Sequence, residues 1–211
     1  RSSDLLDPRR MNRDYLDGLN LAFKGLVEIL PSGGELRKNS VAVVGYPFSR
    51  HEGGDAANIG FIRAAINAMG LECGPIWLGG GSTAEILTTL ECGHVAVLPH
   101  ASAALETLKA KSRGNVFTAP APLGLAGSAD FVRAIANACG KEQEAEAFIN
   151  EQLARTVRRL EWIIPRVFIG RRAALVSDPL SLPASHAFMQ ELGFDVAVEI
   201  LVEKDVVAPV G

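Results

Sequence analysis

Between Ser40 and Leu78 the chain reads SVAVVGYPFSRHEGGDAANIGFIRAAINAMGLECGPIWL, the grammar of a strand, a helix and a second strand. "SVAVVGY" is a short unbroken apolar run, as expected of a strand covered on both faces. "AANIGFIRAAINAM" spaces its apolar residues at helical intervals, with Asp55 placed as an N-cap and Gly70 as the C′ residue. "LECGPIWL" returns to a strand pattern. Strand, helix and strand in this order predict a right-handed βαβ unit, and so a parallel sheet.

Toward the C-terminus, "PIWLGGGSTAEIL" (Pro75–Leu87) sets three consecutive glycines between a strand and a helix. Turns of this composition hold phosphate in many nucleotide-binding proteins. Here the surrounding residues argue otherwise. A P-loop requires G-x-x-x-x-G-K-[ST], and no lysine follows Gly81 or Ser82. A dinucleotide loop requires G-x-G-x-x-G at the first βα turn, where this chain has Pro47, Phe48 and Arg50. The expected role is a tight turn, with Ser82 as N-cap and Glu85 at N3 forming a capping box. An additional ligand at this turn stays open, because doubly wound sheets bind ligands at the carboxyl ends of their strands.

The alternation continues with "HVAVLP" as a strand, "SAALETLKAKS" as a helix, "NVFTA" as a short strand and "SADFVRAIANACG" as a helix. The expected fold is α/β, a Rossmann-like, doubly wound parallel sheet over residues 40–140. Residues 1–39 read as a linker and a helix from a preceding domain. In that helix Leu16, Leu19, Ala22, Phe23, Leu26, Ile29 and Leu30 recur at helical spacing. Residues 141–170 read as a helical connector; acids early and arginines late in Glu142–Arg159 match the helix dipole. Residues 171–211 read as a partial second Rossmann-like domain, since "MQELGFDVAVEIL" repeats the layout of "INAMGLECGPIWL". A lone βαβ unit exposes both sheet edges, so the sequence is expected to be a piece of a longer protein.

Composition narrows the partners. Apolar residues make up 48% and charged residues 21%, an ordinary globular balance. A net charge of −3 gives no electrostatic reason to expect nucleic acid or an anionic membrane. No apolar run approaches the ~20 residues that span a bilayer. Cys73, Cys92 and Cys139 are odd in number and dispersed, which fits a reducing cytoplasm and neither a disulfide framework nor a zinc site.

The stretch from Val41 to Ile86 resembles the middle domain of the nitrogenase component 1 family: a strand ending in Gly, a loop with Gly-Asp, a helix ending "MGL", then an "xGxGSxxEI" segment matched by Gly79, Gly81, Ser82, Glu85 and Ile86. The likeness runs on through "HVAVLPHASAALETLKAKSRG" and "VFTAPAPLGLAGSADFVRAIA". "YLDGLNLAFKGLVEIL" resembles the helix closing the family's first domain, and "GRRAALVSD" with "MQELGFDVAVEIL" the start of its third. The resemblance implies an oxidoreductase subunit that pairs with a sister component 1 subunit and receives electrons from an ATP-dependent iron protein. It implies an iron–sulfur cluster in the full-length protein and none in these residues, because the family's ligand cysteines belong mostly to the first domain.

The family pattern fails at two places. The nitrogenase subunit that holds the catalytic cofactor has a cysteine at the end of the strand matched by "HVAVLP"; this chain has Leu98, and Leu19 stands near where that subunit has a histidine. An aliphatic side chain cannot ligate iron. The resemblance therefore implies a substrate other than dinitrogen, such as a tetrapyrrole, with Leu98 suiting a cavity for an organic molecule. A cofactor-assembly scaffold and a non-redox small-molecule-binding α/β module are the alternatives. The piece alone is expected to be inactive.

Candidate substrate- or cofactor-facing residues are Gly80, Gly81, Ser82, His100 and Ser102, with no catalytic residue and no metal ligand assigned. His100 follows a strand at the position favoured for ligands and titrates near neutrality; a surface-loop histidine is the competing reading. His51 with Arg50 suits an anionic group, against a solvated loop. Pro120–Gly124 is expected to be a rigid turn bordering the same cleft, and Asp178 and His186 to cap locally.

Overall fold

The computed structural model describes residues 15–46 and 54–202, so the expectations placed on residues 1–14, on Pro47 and Phe48, and on Arg50 and His51 lie outside it. Strands β1 (Arg37–Val44), β2 (Glu72–Ile76), β3 (Cys92–Val97) and β4 (Asn115–Thr118) form a parallel sheet in the order β2-β1-β3-β4. Every residue from Ser40 to Val44 is buried, which is why the strand shows no polar alternation. Val41 and Val43 face one layer of helices, Ala42 and Val44 the other.

The first layer is α2 (Asp55–Ala68), α5 (Gly124–Cys139) and the first half of α6 (Glu142–Leu160), which contribute Ile62, Ile66, Phe131, Ile135 and Phe148. The second layer is α1 (Tyr15–Ile29), a 3-10 turn at Pro99–Ala104 and α4 (Leu105–Lys111), which contribute Phe23, Val27, Ala101 and Leu108. Trp77 joins this layer. Its indole N–H donates to Thr89 Oγ1 at 2.8 Å, and the Thr89 hydroxyl donates to Ile86 O at 2.6 Å, so this buried polar pair is satisfied.

Helix α1 buries Leu16, Phe23 and Val27, with Leu30 just past its end, but leaves Leu26 and Ile29 exposed. The apolar stripe read from the sequence is wider than the strip of helix the sheet contacts. Lys111, at the end of α4, donates to the carbonyls of Val27, Glu28 and Leu30 at 3.1, 2.8 and 2.8 Å. A lysine from another helix thus satisfies carbonyls at the end of α1, that of Val27 also accepting from Leu30 N at 3.2 Å.

Two helix starts differ from expectation. Asp55 is the first helical residue of α2 rather than its cap, and its carboxylate accepts from the Tyr46 hydroxyl at 3.1 Å. Gly70 is the left-handed residue after α2, as expected. Helix α5 begins at Gly124, ahead of Ser128. After α3 (Thr83–Leu87) and the elements above come α7 (Ile164–Val167), β5 (Arg172–Ser177), α8 (Leu182–Glu191) and β6 (Asp195–Leu201). Strands β5 and β6 pair in parallel as a separate two-stranded sheet.

Candidate functional site at the carboxyl end of the sheet

The connection leaving β1 runs to α2 on one face, and the connection leaving β3 runs to α4 on the other. The strand order reverses between these neighbours, which is where an open α/β sheet presents a ligand crevice. Gly45, just past β1, and Ala101, after β3, are pressed together there. Gly45 has φ +95°, and a Cβ on it would stand 2.7 Å from Ala101 Cβ and 2.9 Å from Ala101 N.

His100 sits at this point with 3% of its surface exposed. Its Nε2 lies 3.4 Å from Ser181 Oγ and 3.6 Å from Asp178 Oδ1. Asp178 is held in place because the same oxygen accepts from the N–H groups of Leu180 and Ser181 at 2.9 and 2.8 Å. Burial pulls the His100 pKa below its ordinary value, outweighing the opposing pull of the Asp178 charge. The imidazole is therefore neutral near pH 7. Its Nδ1 is buried without a hydrogen-bond partner among the described residues. His100 is thus neither a surface-loop histidine nor open to the crevice; the loop before α8 covers it.

The other sequence candidates lie elsewhere. The hydroxyl of exposed Ser102 turns to Asn20 of α1, at 3.4 Å. Gly80, Gly81 and Ser82 are exposed beyond the end of β2, the outer strand. Gly80 has φ +79°, as the tight turn requires, and Ser82 Oγ accepts from Glu85 N at 3.2 Å, the expected cap. The five candidates do not converge on one point. Asp178 holds the turn ahead of α8 rather than capping the helix, whose cap position is Ser181, and His186 pairs with Glu199 of β6.

One contact near this site was missed from the sequence. Glu191, at the end of α8, accepts from Leu125 N and Ala126 N at 2.7 and 2.8 Å, so its carboxylate sits on the N-terminus of α5. The available signal was negative: Leu123, at the cap position, offers no side-chain acceptor. Beside this contact, between α2, α5 and α6, lies a pocket of about 190 Å³ lined mainly by Phe61, Leu125, Val132, Phe148 and Leu153, with Gln152 among its polar groups. It is smaller than the ~300–1,000 Å³ of sites for drug-sized ligands. Leu98 does not line it. Only 1% exposed, Leu98 is packed into the core beside the sheet, which corrects the expectation that it faces a substrate cavity.

The thiols lie at the opposite end of the sheet. Cys73 and Cys92 are at the starts of β2 and β3, and Cys139 ends α5, where Asn115 Nδ2 at the start of β4 donates to Ala138 O. Burial raises the pKa of all three, that of Cys139 to about 11. Cluster ligands must be thiolates, and among the described residues no three His, Cys, Asp or Glu gather as a metal site. These residues do not fit an iron–sulfur cluster.

The family described as Nitrogenase component 1 type Oxidoreductase matches residues 9–205. The chain belongs to this family. No curated protein matches it. Among solved structures, nitrogenase Cp1 at pH 6.5 superposes on this component 1 chain with a TM-score of 0.71 at 20% identity, covering 92% of this chain and 45% of its own. Nitrogenase Cp1 at pH 5 gives 0.71 at 17% identity, covering 91% and 39%. Likeness at this identity is one of fold, and it agrees with the Rossmann-like sheet. The chain spans less than half the length of these structures. No described helix is long and apolar enough to cross a membrane.

Proposed function

We propose that this component 1 chain is part of a nitrogenase-like reductase subunit that pairs with a sister subunit, takes electrons from an ATP-dependent iron protein and reduces a substrate other than dinitrogen. Leu98 carries the reading. It follows β3 where the cofactor-holding nitrogenase subunit has a cysteine, and its aliphatic side chain is sunk in the core. No iron ligand is offered at that position. An organic substrate takes the place of dinitrogen, a tetrapyrrole being the class to test first. The neutral His100 lies beneath the crevice, covered by the loop that carries Asp178 and Ser181, and puts no standing charge there. The family's iron–sulfur cluster is held by residues other than the three cysteines here. Three free thiols fit a cytoplasmic setting.

The test is anaerobic purification of the full-length protein with its sister subunit, followed by assay with iron protein, MgATP and dithionite. ATP-dependent reduction of a tetrapyrrole, with no ammonia formed under dinitrogen, is expected. Ammonia above background overturns the reading. Transfer of bound iron to an acceptor protein without turnover moves the chain to the assembly-scaffold class.

A further inference from the structure

Six of the chain's 21 basic residues, but one of its 24 acids, fall between Arg155 and Arg172, across the end of α6, the turn into α7 and the start of β5. Arg155 pairs with Glu151 and Arg172 with Asp195. Arg158, Arg159, Arg166 and Arg171 are exposed and meet no carboxylate among the described residues. The same corner exposes Trp162 (59%) and Ile169 (58%), together with Val157 and Val167. Its backbone is firmly held: Glu161 N donates to Val157 O, Arg166 N and Val167 N donate to Ile163 O, and the Phe168 ring stands 5.3 Å from that of Phe194. This exposure belongs to a defined surface.

We propose that the α6–α7 corner is the docking surface for an acidic, apolar-centred face of the second, different subunit with which the proposed function pairs this chain. The partner's identity rests on that reading; the location rests on the patch. The local charge is opposite in sign to the chain's overall −3, so the corner attracts an acidic face that the rest of the surface repels. Guanidinium groups bind carboxylates in bidentate pairs. Trp and Arg are the residues on which interface energy concentrates, and here one exposed tryptophan shares a short segment with four exposed arginines that meet no carboxylate among the described residues. Val157, Val167 and Ile169 offer nothing for a nucleobase to stack on, whereas an apolar protein face buries them.

The test uses the full-length chain and its sister subunit, with a benzophenone photo-cross-linker at position 162. A cross-link into an acidic segment of the sister subunit is expected. Salt should weaken the pair, and Arg158→Glu with Arg166→Glu should raise its Kd about tenfold or more, the scale of a lost hot-spot contact. A cross-link into the same chain, into a second copy, into nucleic acid or into nothing overturns the proposal, as does a Kd that ignores the charge reversals. The ATP-dependent reduction assay separates the two readings. A charge-reversed pair that assembles and turns over normally removes the docking surface and leaves the function. A pair that joins through this corner and reduces nothing does the opposite.

Discussion

The two sheets are built from the same kind of βαβ module, yet they are buried to very different degrees. In the four-stranded sheet Ser40 to Val44 and Val95 to Leu98 are all buried, whereas no described residue after Ile149 is. In the two-stranded sheet Val176 and Ile200 are register partners on a face left open by the described residues, and each is about half exposed or more. Helix α8 covers the other face only. The comparison teaches that an apolar parallel strand is a demand for two layers. The first sheet meets that demand from both sides, and the second meets it from one.

The sharpest way to break this contrast is Trp77→Ala. Removing a 1% exposed indole from the second layer should cost about 3–5 kcal/mol in chemical denaturation. A loss below ~1 kcal/mol would mean that the four-stranded unit is not where stability resides. A smaller effect is expected where the units meet. His100 has a lowered pKa when covered, so the covered state binds fewer protons than the open one. Its contribution is complete above the ordinary histidine value near 6.5 and fades as pH falls below that value toward the lowered one. Asp178 is the charged group facing it. Protection of the α8 amides, measured against the intrinsic exchange rate at each pH, should therefore fall as pH drops below about 6.5 while that of β1 and β3 holds; an equal loss everywhere would erase the distinction. The smallest effect belongs to Val198→Ala, on the open face of β6. It should change stability by no more than about 0.5 kcal/mol, because the side chain is already half in water. A larger loss would show that this face is covered in solution.

The sheet was legible because buried parallel strands declare themselves. "VAVV" and "VAVL" have no polar alternation, Gly70 stops α2 in the left-handed region, and Ser82 caps α3. Two errors share one cause: a one-dimensional pattern carries no information about which neighbour arrives. Leu26 and Ile29 have the spacing of a buried face, but the sheet contacts a strip too narrow to include them. Leu98 was read as facing a cavity, yet strand alternation turns it into the core. The site was harder still. His100 was found by its place after a strand, but its partners Asp178 and Ser181 lie about eighty residues on, in another sheet's loop. Glu191 bonds to helix α5 over a similar separation, and nothing near Gly124 announces it.

The three bonds from Lys111 use every hydrogen that an ammonium carries. While helix α1 is seated, those carbonyls shield the nitrogen from an acylating reagent, whereas Lys109, two residues away, is exposed and pairs with Glu106. Position 111 is thus a built-in reporter of the amino-terminal helix: a chain tagged at 109 and unmarked at 111 has α1 docked, and a tag at 111 records its departure.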